Sequence, residues 1–280
     1  MSNVFLSDTP ITLTIAGSDS GGGAGIQADI KAISATGGYA CSVITALTAQ
    51  NTCGVSAIHS IPAGFIQQQF DAVFSDLDIK AVKIGMLGDV ETIQAVANAL
   101  RQYRPRQVVL DPVMVATSGD ALLKREATQA LVDELFPLAT LITPNLPEAL
   151  ALLGESAELL PENDLQLEQL AGRVLKLGPE SVLVKGGHSD GAESTDCWFD
   201  GSETRFYRAE RIDTQNTHGT GCTLSASIAS YLAQGRDLPT AIAAAKGYIS
   251  QAIAHADQLQ IGQGHGPVHH FFAGHYQAED

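Results

Sequence analysis

Short, β-branched apolar runs alternate with segments of helical period along almost the whole chain, and a parallel sheet joined by helical crossovers requires this alternation. Strands are expected at residues 12–16, 41–47, 81–84, 108–111, 141–143 and 181–185. Helical patterns lie between them at 24–35, 63–75, 90–103, 122–135, 145–153 and 165–177. Beyond Lys185 the texture changes: 195–200 and 204–212, divided by Asp200-Gly201, read as an antiparallel hairpin, and helices follow at 222–233 and 238–256. No proline- or serine-rich linker, charge block or repeat divides the chain, so one domain over 1–280 is expected, with the acidic stretch 154–164 as a solvated loop.

In an open parallel sheet, ligands sit beyond the carboxyl ends of the strands. The polar residues fall there: Gly17-Ser18-Asp19, Gln50-Asn51, Gly85-Met86, Asp111-Pro112-Val113, Pro144-Asn145 and Lys185-Gly186-Gly187 each follow an expected strand. Six such ends in register imply one shared cleft.

The segment Asn216-Thr217-His218-Gly219-Thr220-Gly221-Cys222 supplies an anion site. Its glycines let the backbone approach a ligand closely, and it opens into an apolar helix whose first N–H groups and positive dipole end favour phosphate. Cys222 lies in that first turn, where the dipole favours the thiolate and suits it to accept a proton from a hydroxyl. Taken alone, Gly-x-Gly-Cys reads more plainly as a turn followed by a small buried cysteine, and it is the context that favours the catalytic reading.

A net charge of −15 leaves no basic footprint for nucleic acid or anionic lipid, so a phosphate site must be local. The first ten residues lack the basic start and apolar stretch of a signal peptide, and no run is long enough to span a membrane; a cytoplasmic protein is expected. Cys41, Cys53, Cys197 and Cys222 are scattered without a Cys-x-x-Cys pair and read as reduced thiols. His265, His269 and His270 occupy a loop-like stretch without acidic or Cys companions, which argues against a metal tract.

The glycine-rich run after the first strand contains Gly23-x-Gly25-x-x-Ala28, a form of the dinucleotide fingerprint. The ribose-binding acid that should follow about 20 residues later is missing, since no Asp or Glu occurs between Asp29 and Asp71. No Gly-x-x-x-x-Gly-Lys-Ser/Thr is present either, so phosphoryl transfer would have to use the 216–222 cradle. Such a reaction needs a cation, normally Mg²⁺, for which Asp111 and Glu148 are the candidates. Each has a plainer reading: Asp111 fixes a turn before Pro112, and Glu148 sits in the first turn of a helix.

Seven motifs in order carry a family resemblance: residues 16–29, Thr48-Ala49-Gln50-Asn51-Thr52, Val82-Lys83-Ile84-Gly85-Met86-Leu87, Asp111-Pro112-Val113-Met114-Val115-Ala116, Thr143-Pro144-Asn145-Leu146-Pro147-Glu148-Ala149, Val184-Lys185-Gly186-Gly187-His188, and 216–222. From about Ile11 to His270 the chain resembles the hydroxymethylpyrimidine/phosphomethylpyrimidine kinases of thiamine biosynthesis, in the ribokinase superfamily. The resemblance implies a three-layer α/β/α fold with a central, mostly parallel sheet, a homodimer, and two successive ATP-dependent phosphorylations. The substrates would be the pyrimidine alcohol 4-amino-5-hydroxymethyl-2-methylpyrimidine and then its monophosphate.

By the same resemblance, Gln50 pairs with the aminopyrimidine edge, Met86 and Val113 contact the ring, and Gly17 and Ala24 admit it to the backbone, with Asp29 and Lys246 at further polar positions of that site. Asp29 reads equally as a surface helix residue. Cys222 would be the base, with the N–H groups of Gly219, Thr220 and Gly221 stabilising the developing charge. Lys185, Gly187, Thr217, Gly219 and Gly221 would hold ATP phosphate, and Asp111 and Glu148 would organise Mg²⁺. Two positions depart from the family pattern: Leu150 replaces an acidic residue, and Thr117 stands where lysine is expected. The nearest rival is pyridoxal kinase, alone or as a dual activity; Gln50 favours the aminopyrimidine.

Overall fold

The computed structural model describes residues 9–114, 125–156, 159–187 and 193–274. Nine strands form one sheet: β1 (Ile11–Asp19), β2 (Tyr39–Asn51), β3 (Gly54–Ser60), β4 (Ile79–Ile84), β5 (Val108–Leu110), β6 (Leu141–Ile142), β7 (Val182–Val184), β8 (Glu193–Phe199) and β9 (Thr204–Glu210). Their spatial order is β3-β2-β1-β4-β5-β6-β7-β8-β9. The strands from β2 to β7 run parallel, and β3, β8 and β9 add antiparallel edges. The helices are α1 (Gly25–Ala35), α2 (Ala63–Asp76), α3 (Val90–Tyr103), α4 (Arg125–Glu134), α5 (Leu146–Leu152), α6 (Asp164–Leu175), α7 (Thr220–Ala233) and α8 (Leu238–Ala254). The expected helix at 122–135 begins outside the described residues, as do Val115, Ala116, Thr117 and His188 of the motifs.

The period of two along each strand divides the core between the two faces. Val82, Ile84, Val108, Leu110, Ile142, Val182 and Val184 pack on one side with residues of α2 to α6, and Leu150 lies fully buried among them. Ala81, Val109, Leu141 and Leu183 face the other way, against α7 and α8. The result is a sheet between two helical layers, as the resemblance implied. The chain leaves β1 toward β2 on one side and later returns to β4 on the other, which makes a topological switch point beside β1.

Strand β3 has no counterpart in the sequence expectation. It extends the carboxyl half of β2 into a hairpin that is exposed over most of β3, so no apolar alternation marks it.

Candidate active site

Helix α7 begins at a left-handed Gly219, φ +80°, and carries no side-chain cap. The Thr220 N–H donates to the Thr217 carbonyl at 3.2 Å, so the N–H groups of Gly221 and Cys222 are the first-turn donors that face a ligand. A Cβ on Gly219 would lie 1.9 Å from the carbonyl oxygen of Gly23, so the 216–222 loop and the turn after β1 meet backbone to backbone.

Gly221 faces an ion pair, since a Cβ there would stand 3.3 Å from both Asp111 Oδ2 and Lys185 Nζ. Lys185 donates to Asp111 Oδ1 at 2.7 Å, and Thr143 donates to the same oxygen at 3.0 Å. Burial opposes the Lys185 ammonium, but Asp111 and Glu148 outweigh it and hold its pKa above the ordinary lysine value. Glu148 closes a capping box with Asn145 at the start of α5, so its plainer reading is also true. Burial pushes its carboxyl up to about 7; Lys185 opposes this, Asp111 adds to it, and the N–H groups of Asn145 and Met114 oppose it. Asp111 is no turn-fixing side chain, because its carboxylate turns inward to Lys185.

Thr217 lines a neighbouring cavity of about 780 Å³ together with Glu193, Glu210, Arg211, Ile212, Asp213 and Thr214. Arg211 reaches from this wall to the carbonyl of the exposed Gly187 at 2.7 Å. Lys185, Gly187, Thr217, Gly219 and Gly221 thus border one region at the carboxyl end of β7 and the start of α7.

The other end of the cleft lies over β1, β2 and β4. Gly17 donates its N–H to the Met86 carbonyl at 3.2 Å, and the Met86 side chain leans over it, 2.8 Å from where a Cβ would be. Ala24, at the entrance to α1, donates to Asp19 Oδ2 at 2.8 Å. Gln50 sits half-buried at the end of β2, and its amide is 3.5 Å from His218 Nε2. Val113 is half-buried just beyond β5.

Cys222 lies between these two ends, accepting from the Gly25 N–H. Burial pushes its thiol up to about 11, Lys83 opposes this, Asp29 and Asp111 add to it, and the Gly25 N–H opposes it. This shift runs against the expected dipole-favoured thiolate and keeps Cys222 a thiol near neutral pH.

Two residues assigned to the pyrimidine site do not reach it. Asp29 is fully buried, its carboxylate 2.8 and 2.9 Å from Lys83 Nζ and 2.5 Å from Thr14 Oγ1, so it is neither a ring contact nor a surface residue. A carboxylate inside an apolar layer demands such a partner. Lys246 donates to Asp196 Oδ2 at 2.8 Å and Ser194 Oγ at 3.1 Å, both on β8. That strand lies six strand positions from β2, about 29 Å at the usual spacing. Asp196 in turn accepts the Gly186 N–H at 2.9 Å, so Lys246 braces the turn behind Lys185 instead of touching the ring.

Sequence reasoning assigned no role to Asp19, His218 or Lys83. His218 is 8% exposed, and its Nε2 lies 3.0 Å from Asp19 Oδ2, bridging the 216–222 loop to the turn after β1. Lys83 is fully buried beneath the cleft. Burial works against its ammonium, but Asp29, Cys222 and Asp111 keep its pKa above the ordinary lysine value. A lysine inside the apolar strand Ala81-Val82-Lys83-Ile84 was the visible sign.

The sequence profile described as phosphomethylpyrimidine kinase matches residues 19–269. The chain belongs to the phosphomethylpyrimidine kinase family. A hydroxymethylpyrimidine/phosphomethylpyrimidine kinase of Rhizobium meliloti is 56% identical over 263 residues, covering 94% of this chain and 97% of that protein. Among solved structures, the phosphomethylpyrimidine kinase of Clostridium difficile shares 45% identity at a TM-score of 0.76, covering 87% of this chain and 99% of its own. An ADP complex of Bacillus subtilis pyridoxal kinase superposes at a TM-score of 0.85 with 35% identity, covering 94% and 98% of the two chains. The family and these neighbours carry the ribokinase-like fold that the motif order implied.

Proposed function

We infer that this kinase transfers phosphoryl groups from ATP to 4-amino-5-hydroxymethyl-2-methylpyrimidine and then to its monophosphate, in thiamine biosynthesis. The observation that carries the reading is the meeting of an uncapped, glycine-led helix N-terminus with the Asp111–Lys185 pair on one side and the Gln50 end of the cleft on the other. The relative of Rhizobium meliloti named for both phosphorylations supports the same substrate pair.

In the first step the hydroxymethyl oxygen attacks the γ-phosphorus, an O–P bond forms, and the bond to the β-phosphate oxygen breaks to release ADP. The N–H groups of Gly219, Gly221 and Cys222 meet the charge spread over the transferred group, while that of Thr220 donates to the Thr217 carbonyl, and Lys185 meets the phosphates. Cys222 receives the hydroxyl proton when it is ionised; its high pKa makes that minor form a strong base. In the second step the attacking phosphate oxygen is already ionised and needs no base. Gln50 reads the aminopyrimidine edge, flanked by Met86, Val113, Gly17 and Ala24.

The donor set suits Mg²⁺, which takes one or two carboxylates and completes its shell with water and phosphate. Glu148 is buried near a second carboxylate, Asp111; burial foremost, with Asp111 adding to it, raises its pKa, and a cation held between the two carboxylates would favour the ionised form. Asp111 and Glu148 would hold the ion, which would neutralise charge on the phosphates. The active unit is proposed to be a homodimer with no nucleic-acid or membrane partner; no helix among the described residues is long and apolar enough to cross a membrane.

The test is ATP- and Mg²⁺-dependent turnover of hydroxymethylpyrimidine beside pyridoxal, with phosphorylated products separated and counted. Conversion of the pyrimidine through monophosphate to diphosphate is expected; turnover of pyridoxal alone would overturn the reading.

A further inference from the structure

The Gln50 amide is flanked by two groups whose hydrogen-bonding roles are already fixed. Thr48 Oγ1 lies 3.1 Å from one of its terminal atoms and 2.8 Å from the carbonyl oxygen of Ser18. A carbonyl only accepts, so the single hydroxyl proton of Thr48 goes to Ser18. The amide atom against Thr48 must then be the donor.

His218 sets the other side. Its Nε2 is 3.0 Å from Asp19 Oδ2, while the carboxylate also receives N–H groups from Gly21, Gly23 and Ala24 at 2.8, 3.0 and 2.8 Å. Burial works against the Asp19 charge, but the His218 bond and the Ala24 and Gly21 N–H groups outweigh it and hold its carboxyl below the usual range. An ionised carboxylate only accepts, so His218 Nε2 carries a proton. That N–H points to Asp19 and the nitrogen keeps no lone pair, so an amide N–H 3.5 Å away would find nothing to donate to, and the amide oxygen is the better neighbour.

Both neighbours therefore favour one arrangement, with Gln50 Nε2 toward Thr48 and Oε1 toward His218. This is a half-turn from the placement with Oε1 against Thr48 and Nε2 against His218, a distinction that rests on the hydrogen-bond network because the two amide atoms are nearly alike in shape. The backbone beneath is pinned as well, since Gln50 N donates to Ser20 Oγ at 2.8 Å and Ser20 Oγ donates to the Gln50 carbonyl at 2.7 Å.

We propose that Thr48 and His218 are positioning residues that lock the Gln50 amide in one orientation, so that the cleft presents an acceptor on the His218 side and a donor on the Thr48 side. This ordered pair selects a ring with an amino group beside a ring nitrogen: the amino group donates to Oε1 and the nitrogen accepts from Nε2. A hydroxypyridine that offers only acceptors at that edge leaves Oε1 facing a lone pair. The proposal rests on the reading of Gln50 as the ring-edge contact, and the test separates the two.

The measurement is the affinity of hydroxymethylpyrimidine relative to its analogue lacking the 4-amino group, by calorimetry on wild type, Gln50→Ala, Thr48→Val and Thr48→Ser. Taking the ratio within each preparation removes any difference in folded fraction. Gln50→Ala is expected to collapse the preference for the amino compound. Thr48→Val is expected to reduce it about tenfold, the scale of one lost hydrogen bond, with kcat at saturating pyrimidine within about threefold of wild type. Thr48→Ser, which keeps the hydroxyl, should restore the ratio. A wild-type ratio in Thr48→Val beside a collapsed one in Gln50→Ala would overturn the positioning role alone. An unchanged ratio in Gln50→Ala would overturn the reading of Gln50 and the proposal with it.

Discussion

Replacing Lys83 by Met keeps most of the side-chain volume and removes the one cation bonded to the Asp29 carboxylate among the described residues. Both side chains are fully inaccessible, and the ammonium lies 2.8 and 2.9 Å from the two carboxylate oxygens. Breaking a buried pair from one side costs about 3–5 kcal/mol because the remaining charge is uncompensated. That is a large share of the roughly 5–15 kcal/mol that holds a folded protein together. Asp29 can limit the loss by taking a proton, so the cost should shrink as pH falls and grow as pH rises. The double variant Asp29→Asn/Lys83→Met removes both charges and should recover most of the stability. Urea unfolding followed through the single tryptophan, Trp198, at pH 5.5 and 8 measures all of this. A loss below about 1 kcal/mol at pH 8, a loss independent of pH, or a double variant no better than Lys83→Met would refute the reasoning.

Cys222, with a thiol near 11, should be alkylated by iodoacetamide about tenfold faster per pH unit between pH 7 and 10, and bound pyrimidine should slow the labelling of that peptide. Fast labelling already at pH 7, unaffected by pyrimidine, would contradict both its raised pKa and its place in the cleft. Cys222→Ala is expected to harm the first phosphorylation more than the second, and equal losses would exclude it as the base. Gly219→Ala puts a Cβ 1.9 Å from the Gly23 carbonyl at φ +80°, so turnover should fall by at least tenfold, on the order of 1.4 kcal/mol; a wild-type rate would show that the two loops need not touch. For Glu148, a folded pKa of about 7 against an ordinary 4.5 means that the folded state holds the proton more tightly. Its burial therefore costs nothing below the ordinary value and reduces stability as pH climbs from there to about 7, by about 3 kcal/mol at the plateau. Glu148→Gln keeps a side-chain oxygen to cap α5 and should flatten that stretch of the stability-versus-pH curve; an unchanged curve would mean that Glu148 is not the titrating group.

The fold was legible because its signals are local. The short apolar run at residues 81–84 and the period of 3.6 in 90–103 are written in neighbouring side chains, and α3 occupies the expected span. Legibility ended where an element is exposed: β3 lies on the edge of the sheet and gains its partner from β2, not from an apolar pattern. Within the cleft, glycines and strand-end polar residues announced themselves by position. The residues that position others did not, and His218 was visible only as part of a glycine-rich motif.

The sequence alone determined the alternation of strands and helices, the glycine-led start of α7 and the motif order that names the family, all of which depend on residues close together in the chain. Tertiary structure alone decided which charge answers which. Asp29 meets Lys83 across 54 residues, Lys246 meets Asp196 across 50, and Asp19 meets His218 across 199. Periodicity tells a buried carboxylate which face it occupies, but desolvation forces it to find a partner wherever the packed sheet supplies one. Two residues assigned to the pyrimidine therefore became struts, and the thiol that local dipoles would ionise is held protonated by its burial.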